Sequence, residues 1–468
     1  MIPEPALEKI SEILGPRYLV RDGERLSEYA TDATKLAYMP DAVAFPGSSE
    51  EISQILVLAN KHFFPVVPRG AGSGKSGGAL SVKGGLVLSM DRFDRILDID
   101  RENLIALVEP GVITSRLQKE VEKYDLFYPP DPGSIDISTI GGNVAECAGG
   151  MRAVKYGVTR DYVLGLKVVL PLGSIIDTGV RTAKGVVGYD LTRLIIGSEG
   201  TLAVITSIIL RLIPRPTSRR TMVIFFQDIP LAVETVSDII SNRITPAAIE
   251  FMDRLCIDCV RDEIGISIPA DTNALLLVEV DGEPLQIETA LERIRKLSLD
   301  AGATGVESAQ GEEGTEKLWD VRRYVSESLF KLRPDKVSED IVVPRSRMAD
   351  FVFFLDNLGK KYKIPIPAFG HAGDGNIHVN IMYDGKLPHE AGIVEEVVKE
   401  VFRKALAMGG TISGEHGIGI TKAPYLPMEL PPAAVELMYR LKRAFDPNEI
   451  LNPGKIFPWA PDSKERGV

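Results

Sequence analysis

Residues 68–80 read Pro-Arg-Gly-Ala-Gly-Ser-Gly-Lys-Ser-Gly-Gly-Ala-Leu, the densest glycine cluster in the chain. Gly72 to Gly77 match G-x-G-x-x-G, with Asp91 near the expected spacing for an acid that reads a ribose. That fingerprint must open a helix. Here Gly78, Gly84 and Gly85 follow at once, and then the strand-like run GLVLSM at 85–90. Gly74-Lys75-Ser76 resembles the end of a P-loop, but Arg69 stands where that motif requires glycine. The loop is therefore neither motif. Its glycines permit positive φ and close backbone approach, and successive N–H groups in such a loop suit an anion such as a pyrophosphate.

Two further small-residue loops lie downstream. PPDPGSIDIST (129–139) leads into Ile140-Gly141-Gly142-Asn143 and on to Gly149-Gly150, and Gly197–Thr201 forms the third. Between them run short Val/Ile/Leu segments (VAFPG, PVVPRG, LIALVEPG, GLKVVLPLG, LAVITSIILRLIP), with helical spacing only at Ser49–His62 and Ile113–Tyr124. Many short strands with few helices predict an α+β domain. Three glycine loops in it, none opening a dinucleotide-binding helix, favour a large dinucleotide laid across it.

The texture changes after Pro214 and Pro216. TMVIFF, a helical run Leu231–Ser241 and AAIEFMD are followed by ALLLVEVD, a helical run Pro284–Ala301 and ATGVESA. This reads as two β-α-β units in tandem, a ferredoxin-like repeat. A helix over Glu316–Leu332, a hairpin IPIPAFGH/NIHVNIMY and a helix over Glu390–Met408 complete the pattern. The expected division is 1–37 (N-terminal helical segment, with a helix over 5–15), 38–216, 217–412, and a C-terminal segment 413–468.

The chain has five histidines, at 62, 371, 378, 389 and 416. Asn376, His378 and Asn380 alternate with apolar residues and share one strand face. The AGDG turn at 372–375 lets His371 reach the same place. Glu415-His416 sits between Gly414 and Gly417. Two imidazoles and one carboxylate would make a three-ligand site with open positions, suited to Zn²⁺, Fe²⁺ or Mn²⁺. A strand histidine is more often a satisfied core residue, so the residues alone leave both readings open. His389 has no such company and is expected to be exposed.

Together, PRGAGSGKSGGAL, STIGGNVAECAGGMRAVKYG, GSEGTLAVIT and NPGKIF resemble the FAD-binding loops of vanillyl-alcohol-oxidase (p-cresol methylhydroxylase) type flavoproteins. With GHAGDGNIHVN and SGEHGIG added, the chain is similar over about 38–457 to one branch: the glycolate oxidase flavoprotein subunit and FAD-linked D-lactate and D-2-hydroxyglutarate dehydrogenases. The resemblance implies an α+β fold with an FAD-binding domain at 38–216, a substrate (cap) domain at 217–412, and a C-terminal helical segment returning to the flavin site. It implies FAD contacts at Arg69, Gly70, Ala71, Gly72, Ser73, Gly74, Pro132, Gly133, Ser138, Thr139, Gly141, Gly142, Asn143, Gly149, Gly200, Ile205 and Asn452. Some relatives link FAD covalently through a histidine in the first loop. Ser73 stands there in this chain, which implies non-covalent FAD. The family's metal ligands fall on His371, His378 and Glu415.

On the same resemblance, His416 is the catalytic base, taking the hydroxyl proton of a metal-chelated 2-hydroxy acid as hydride passes to flavin N5. Arg322, Ser326 and Asn380 match substrate contacts. A lysine that serves dicarboxylate substrates has its nearest counterpart in Lys336, about two residues out of register, which favours D-lactate or glycolate. The expected partners are the substrate and an electron-accepting protein, an electron-transferring flavoprotein or an iron–sulfur subunit, with a homo-oligomer as an option. The alternatives are a D-2-hydroxyglutarate-type dehydrogenase or a metal-free sugar or lactone oxidase.

Composition agrees with this class. With 54 Lys plus Arg against 65 Asp plus Glu, the net charge is −11, which argues against nucleic acid or anionic membrane partners. Three cysteines give no disulfide framework and fit a reducing compartment. Cys256 and Cys259 lack a second pair and read as small buried residues on a helix through FMDRLCIDCVRDEIG. The first residues show no basic segment followed by an apolar one, and no apolar run reaches ~18 residues. The expected location is cytoplasmic.

Overall fold

The computed structural model describes residues 1–263, 266–309 and 311–457. The last eleven residues of the expected 413–468 segment lie outside the described residues. The chain forms two compact units. The first comprises 1–149, 158–215 and the segment from 415; the second comprises 150–157 and 216–414. Residues 150–157 thus leave the 38–216 stretch to join the second unit, and the N-terminal helix is part of the first unit's core.

In the first unit, helices Glu4–Leu14 and Ser49–His62 pack on a four-stranded sheet of order Leu19–Val20, Ala42–Ala44, Leu86–Ser89, Val66–Arg69. Ser49–His62 shows why the local sequence suffices. Ser48 accepts the Glu51 N–H at 3.1 Å, Glu50 and Glu51 sit at the positive end, and Phe63 closes the helix in the left-handed region. A second, five-stranded antiparallel sheet runs Ile96–Asp100, Ile105–Val108, Val204–Arg211, Val163–Val169, Ile175–Gly179. No helix follows the first glycine loop; the chain goes directly to the strand at 86. The C-terminal segment adds to the first sheet at Val66, which donates to Ile450 O and accepts from Asn452 N, each at 2.8 Å.

In the second unit one seven-stranded antiparallel sheet runs Gly305–Ser308, Ser218–Phe226, Ala274–Gly282, Ala248–Asp253, Ala368–His371, Asn376–Tyr383, Asp335–Val342. The two β-α-β units interleave: in chain order their four strands lie fourth, first, third, second, the ferredoxin-like arrangement. Two local readings are corrected. Phe251–Asp253 belongs to a strand, and the helix starts at Arg254 because the Asp253 carboxylate accepts the Cys256 N–H at 2.9 Å. The helix expected over Glu390–Met408 is two, Pro388–Ala391 and Val394–Ala407, separated at Gly392. Cys256 and Cys259 are buried in the apolar layer beside helix Gly311–Ser328. Among the described residues no helix is long and apolar enough to cross a membrane.

The C-terminal return is held by a buried ion pair. Lys442 Nζ donates to Asp446 Oδ2 (2.5 Å), Thr201 O (2.8 Å) and Leu451 O (2.8 Å). Replacing Lys442 by Met would leave Asp446 charged and buried without its cation. We expect about 3–5 kcal/mol of stability to be lost, measured as a lower urea midpoint of the first unit.

Candidate active site

Antiparallel register decides which polar side chains meet in the second unit. His371 lies opposite Glu250, Phe369 opposite His378, and His378 opposite Asp340. Opposed residues project to the same face, as do residues two apart on a strand. Glu250, His371, His378, Asn380 and Asp340 therefore share a face, the one whose apolar members Met252, Leu275 and Phe369 pack with Leu318 and Val321 of helix Gly311–Ser328. The two histidines are diagonal neighbours. Their ring centroids are 5.1 Å apart and their planes near perpendicular, and a ligand nitrogen of each lies within 4.8 Å of the other's.

Glu250 organises this face. It is fully buried; Oε1 lies 2.6 Å from His371 Nδ1, and Oε2 accepts Arg322 Nε at 2.5 Å. Burial by itself would raise its pKa. The facing His371 and Arg322 outweigh that and hold the carboxyl down at about 2. With Nδ1 committed to Glu250, His371 has Nε2 as its ligating nitrogen, the carboxylate–histidine arrangement of metal sites. Asp340, also buried, accepts Asn376 Nδ2 (2.5 Å) and the Gly414 N–H (2.9 Å). Glu415 is the next residue in the chain after that anchored glycine.

The expected substrate contacts divide. Arg322 spends its Nε on Glu250 and stacks its guanidinium over Phe369 at 4.5 Å, so only its terminal nitrogens remain for a carboxylate. Ser326 is already engaged as an acceptor: its hydroxyl and carbonyl accept Lys336 Nζ at 2.9 and 2.8 Å. Asn380 is fully buried, and its Oδ1 has no hydrogen-bond partner among the described residues, an unsatisfied acceptor that a ligand donor would relieve. Glu250 and Asp340 escaped the sequence reading. For Glu250 the signal was present: it is an acid within the otherwise apolar run AIEFM, and a charge facing a core must be paired.

In the first unit the glycines fall into two groups. At Gly70, Gly72 and Gly141 a Cβ would collide with Thr139 Oγ1, the Arg69 guanidinium and Pro110, and Gly72 also has φ +69°. The chain's own packing demands glycine there. At Gly74 and Gly133 a Cβ would meet nothing closer than 4 Å, and at Gly142 only Thr139 Oγ1 at 3.2 Å. Those positions are open toward space that the chain leaves unfilled, which fits a cofactor lying on them. Ser76 Oγ, buried in the same loop, has no partner among the described residues.

Several expected cofactor contacts also fasten the chain to itself. Arg69 donates to Thr31 O at 2.8 Å and sits over the Tyr29 ring. Ser138 Oγ and Asn143 Nδ2 meet at Thr114 Oγ1 (2.9 and 2.8 Å), and Thr139 caps Gly142 N. Asn452 Nδ2 donates to Gly78 O and Glu199 O, and its Oδ1 accepts Lys455 Nζ. Gly200, at φ +66°, turns the chain beside Asn452. Ile205 is buried on strand Val204–Arg211, Pro132 is buried, and Ala71 and Ser73 line the outer part of the first loop. A Cβ on Gly149 would stand 2.9 Å from Glu415 Oε2. His416 is largely enclosed, its Nε2 3.9 Å from Glu415 Oε1. His389 is exposed.

Open glycine loops on the first unit's sheets and paired histidines on the second unit's central strands are features that a dinucleotide-dependent oxidoreductase would use. The chain belongs to the FAD-linked oxidases: residues 40–179 match the FAD binding domain and 215–456 the FAD linked oxidases, C-terminal domain. It is 45% identical to glycolate oxidase subunit GlcD of Bacillus subtilis over 100% of this chain and 99% of that one. It is 37% identical to D-lactate dehydrogenase of Anaerostipes hadrus, covering 96% of each. The solved structure of p-cresol methylhydroxylase with substrate bound matches with TM-score 0.80 at 17% identity, over 98% of this chain and 97% of that one, which establishes the fold. FAD is the cofactor.

The two glycine groups should separate experimentally. Gly74→Val and Gly142→Val are expected to fold yet be purified with little FAD, whereas Gly141→Val should lower the melting temperature even when FAD is added back. Absorbance-based flavin content and thermal melts on the same samples check this.

Glu250 should govern acid stability. Its folded pKa lies below the unfolded value, so its contribution is present above about pH 4.5 and is lost as pH falls toward 2. The contribution is on the order of 3 kcal/mol. Glu250→Gln should be less stable at pH 6 and should flatten the loss between pH 5 and 3, read from urea midpoints.

Proposed function

We propose that the protein is an FAD-dependent dehydrogenase of a small D-2-hydroxy acid, D-lactate or glycolate, yielding the 2-oxo acid. The observation that carries this reading is the His371–His378 pair with Glu250 behind it, on the sheet face that also bears the unsatisfied Asn380. Bound FAD supplies the acceptor for the hydride leaving Cα, held without a covalent link since Ser73 replaces the histidine that would form one. A divalent metal on His371, His378 and Glu415 would polarise the substrate hydroxyl and carboxylate. The donor set fits such an ion: two imidazoles, one already oriented by a carboxylate, and a third ligand tied by its peptide bond to the Gly414 that Asp340 anchors.

The chain's own residues would then act as follows. Glu250 keeps His371 in one tautomer and holds Arg322. The terminal nitrogens of Arg322 are available to the substrate carboxylate, and Asn380 Oδ1 to a donor on the substrate. His416, flanked by glycines and adjacent to Glu415, accepts the hydroxyl proton at an imidazole nitrogen. Lys336 supports a monocarboxylate, because its ammonium is already bound to Ser326. Names of the relatives, glycolate oxidase subunit and D-lactate dehydrogenase, support the substrate class. The word subunit supports transfer of electrons onward to a partner protein, an electron-transferring flavoprotein or an iron–sulfur subunit. A cytoplasmic location accords with this.

Stopped-flow flavin bleaching with metal measured on the same samples tests the reading. D-Lactate or glycolate should bleach the parent. His378→Ala should lose metal and turnover but keep FAD. His416→Asn should keep both and be slowed about 10²–10⁴-fold. Since the neutral imidazole is the competent form, the parental rate should rise with pH and the variant should lose that rise. Bleaching by sugars or lactones instead, or metal loss in His416→Asn, would overturn it.

A further inference from the structure

Within the first unit two carboxyl groups converge beneath the turn that carries His416. Glu199 stands in a tight turn at φ 54°, between Gly197 and Gly200. Its Oε1 accepts the Ile418 N–H at 2.8 Å and its Oε2 the Gly419 N–H at 2.6 Å. Glu146, the last residue of helix Ile140–Glu146, reaches the same spot. A Cβ placed on Gly417 would collide with Glu146 Oε2 and stand 3.1 Å from Glu199 Oε1. Both acids therefore crowd position 417, and its φ of +77° favours glycine.

The two acids are not equivalent. Glu199 receives two backbone donors, which stabilise a carboxylate. Glu146 Oε2 is buried and accepts no hydrogen bond among the described residues. The other charges around the pair are Asp32, which itself faces Arg69, and Lys455 and Lys422. Of the two glutamates, the one with an oxygen left without a donor is the one whose proton is favoured. Burial, and next the neighbouring Glu199 and Asp32, push the Glu146 carboxyl well above the usual range. Burial pushes Glu199 up as well, against the two N–H groups that favour its ionised form.

We infer that Glu146 is a neutral carboxylic acid facing an ionised Glu199, and that Glu199, as a positioning residue, clamps the 417–419 backbone and so fixes the His416 imidazole next to it. The clamp gives the proposed base a rigid seat. A second full negative charge beneath the turn would repel Glu199 and loosen it. The kinetic part rests on the reading of His416 as the base; the protonation of Glu146 does not.

The test uses holoenzyme variants. Infrared difference spectra of parent minus Glu146→Gln at pH 8 should show the carbonyl stretch of a protonated carboxyl group; carboxylate bands alone would overturn the assignment. Glu146→Gln keeps a donor facing Glu199 and should turn over within about twofold of the parent. Glu199→Gln can accept only one of the two N–H groups. It should keep FAD and KM while kcat falls about 10²-fold, the cost of a misplaced catalytic group, with the pH dependence of kcat displaced. Should Glu199→Gln be purified without flavin, Glu199→Asp, shorter but still charged, replaces it with the same expectation at smaller size. Unchanged kcat and pH profile in the Glu199 variant, or equal impairment in Glu146→Gln, would overturn the clamp. If no hydroxy acid bleaches the flavin of the parent, the proposed reaction fails while the infrared result still decides Glu146.

Discussion

One buried carboxylate, Glu250, ties together the face on which the second unit's chemistry depends. A lone charge at that depth would cost several kcal/mol. It is tolerated because the strand pairing places His371 directly opposite and helix Gly311–Ser328 delivers Arg322 from above. The arrangement works in both directions: the histidine and arginine stabilise the acid, and the acid fixes the tautomer of one and the direction of the other. Any change in register by one residue would turn Glu250 and His371 to the opposite face and undo both.

The ferredoxin-like order of the strands is what makes this possible. Interleaving the two β-α-β units leaves Ala248–Asp253 at the edge of their four strands, where the hairpin strand Ala368–His371 adds to its free side. The hairpin then carries His378 and Asn380, and Asp335–Val342 adds Asp340 behind them. In the first unit glycine plays the corresponding part. Gly70, Gly72 and Gly141 let loops pack on each other, whereas Gly74, Gly133 and Gly142 leave surface that the chain itself does not fill.

Much of this was legible along the chain. Strand and helix runs, the hairpin, the absence of a helix after residues 68–80 and the shared face of Asn376, His378 and Asn380 follow from periodicity and glycine placement, which are local properties. What the local pattern could not show has a common cause. Arg322, expected at the substrate, is also held by Glu250, and Ser326 accepts Lys336, residues 72 and 10 positions away. Asn452, Arg69 and Ser138, expected at the cofactor, also bond the chain itself through their side chains.

By itself the sequence determined the kinds of chemistry present: glycine loops for a dinucleotide, a histidine pair set by strand alternation, and a Gly-Glu-His-Gly turn. These depend on neighbours within a few residues, where φ, ψ and side-chain direction are dictated by residue type. Tertiary structure alone decided which groups remain available for that chemistry. Glu250, Asp340, Glu199 and Glu146 acquire roles only through partners far along the chain, because a hydrogen bond or ion pair depends on distances of about 3 Å that strand register and loop return create and no local pattern encodes.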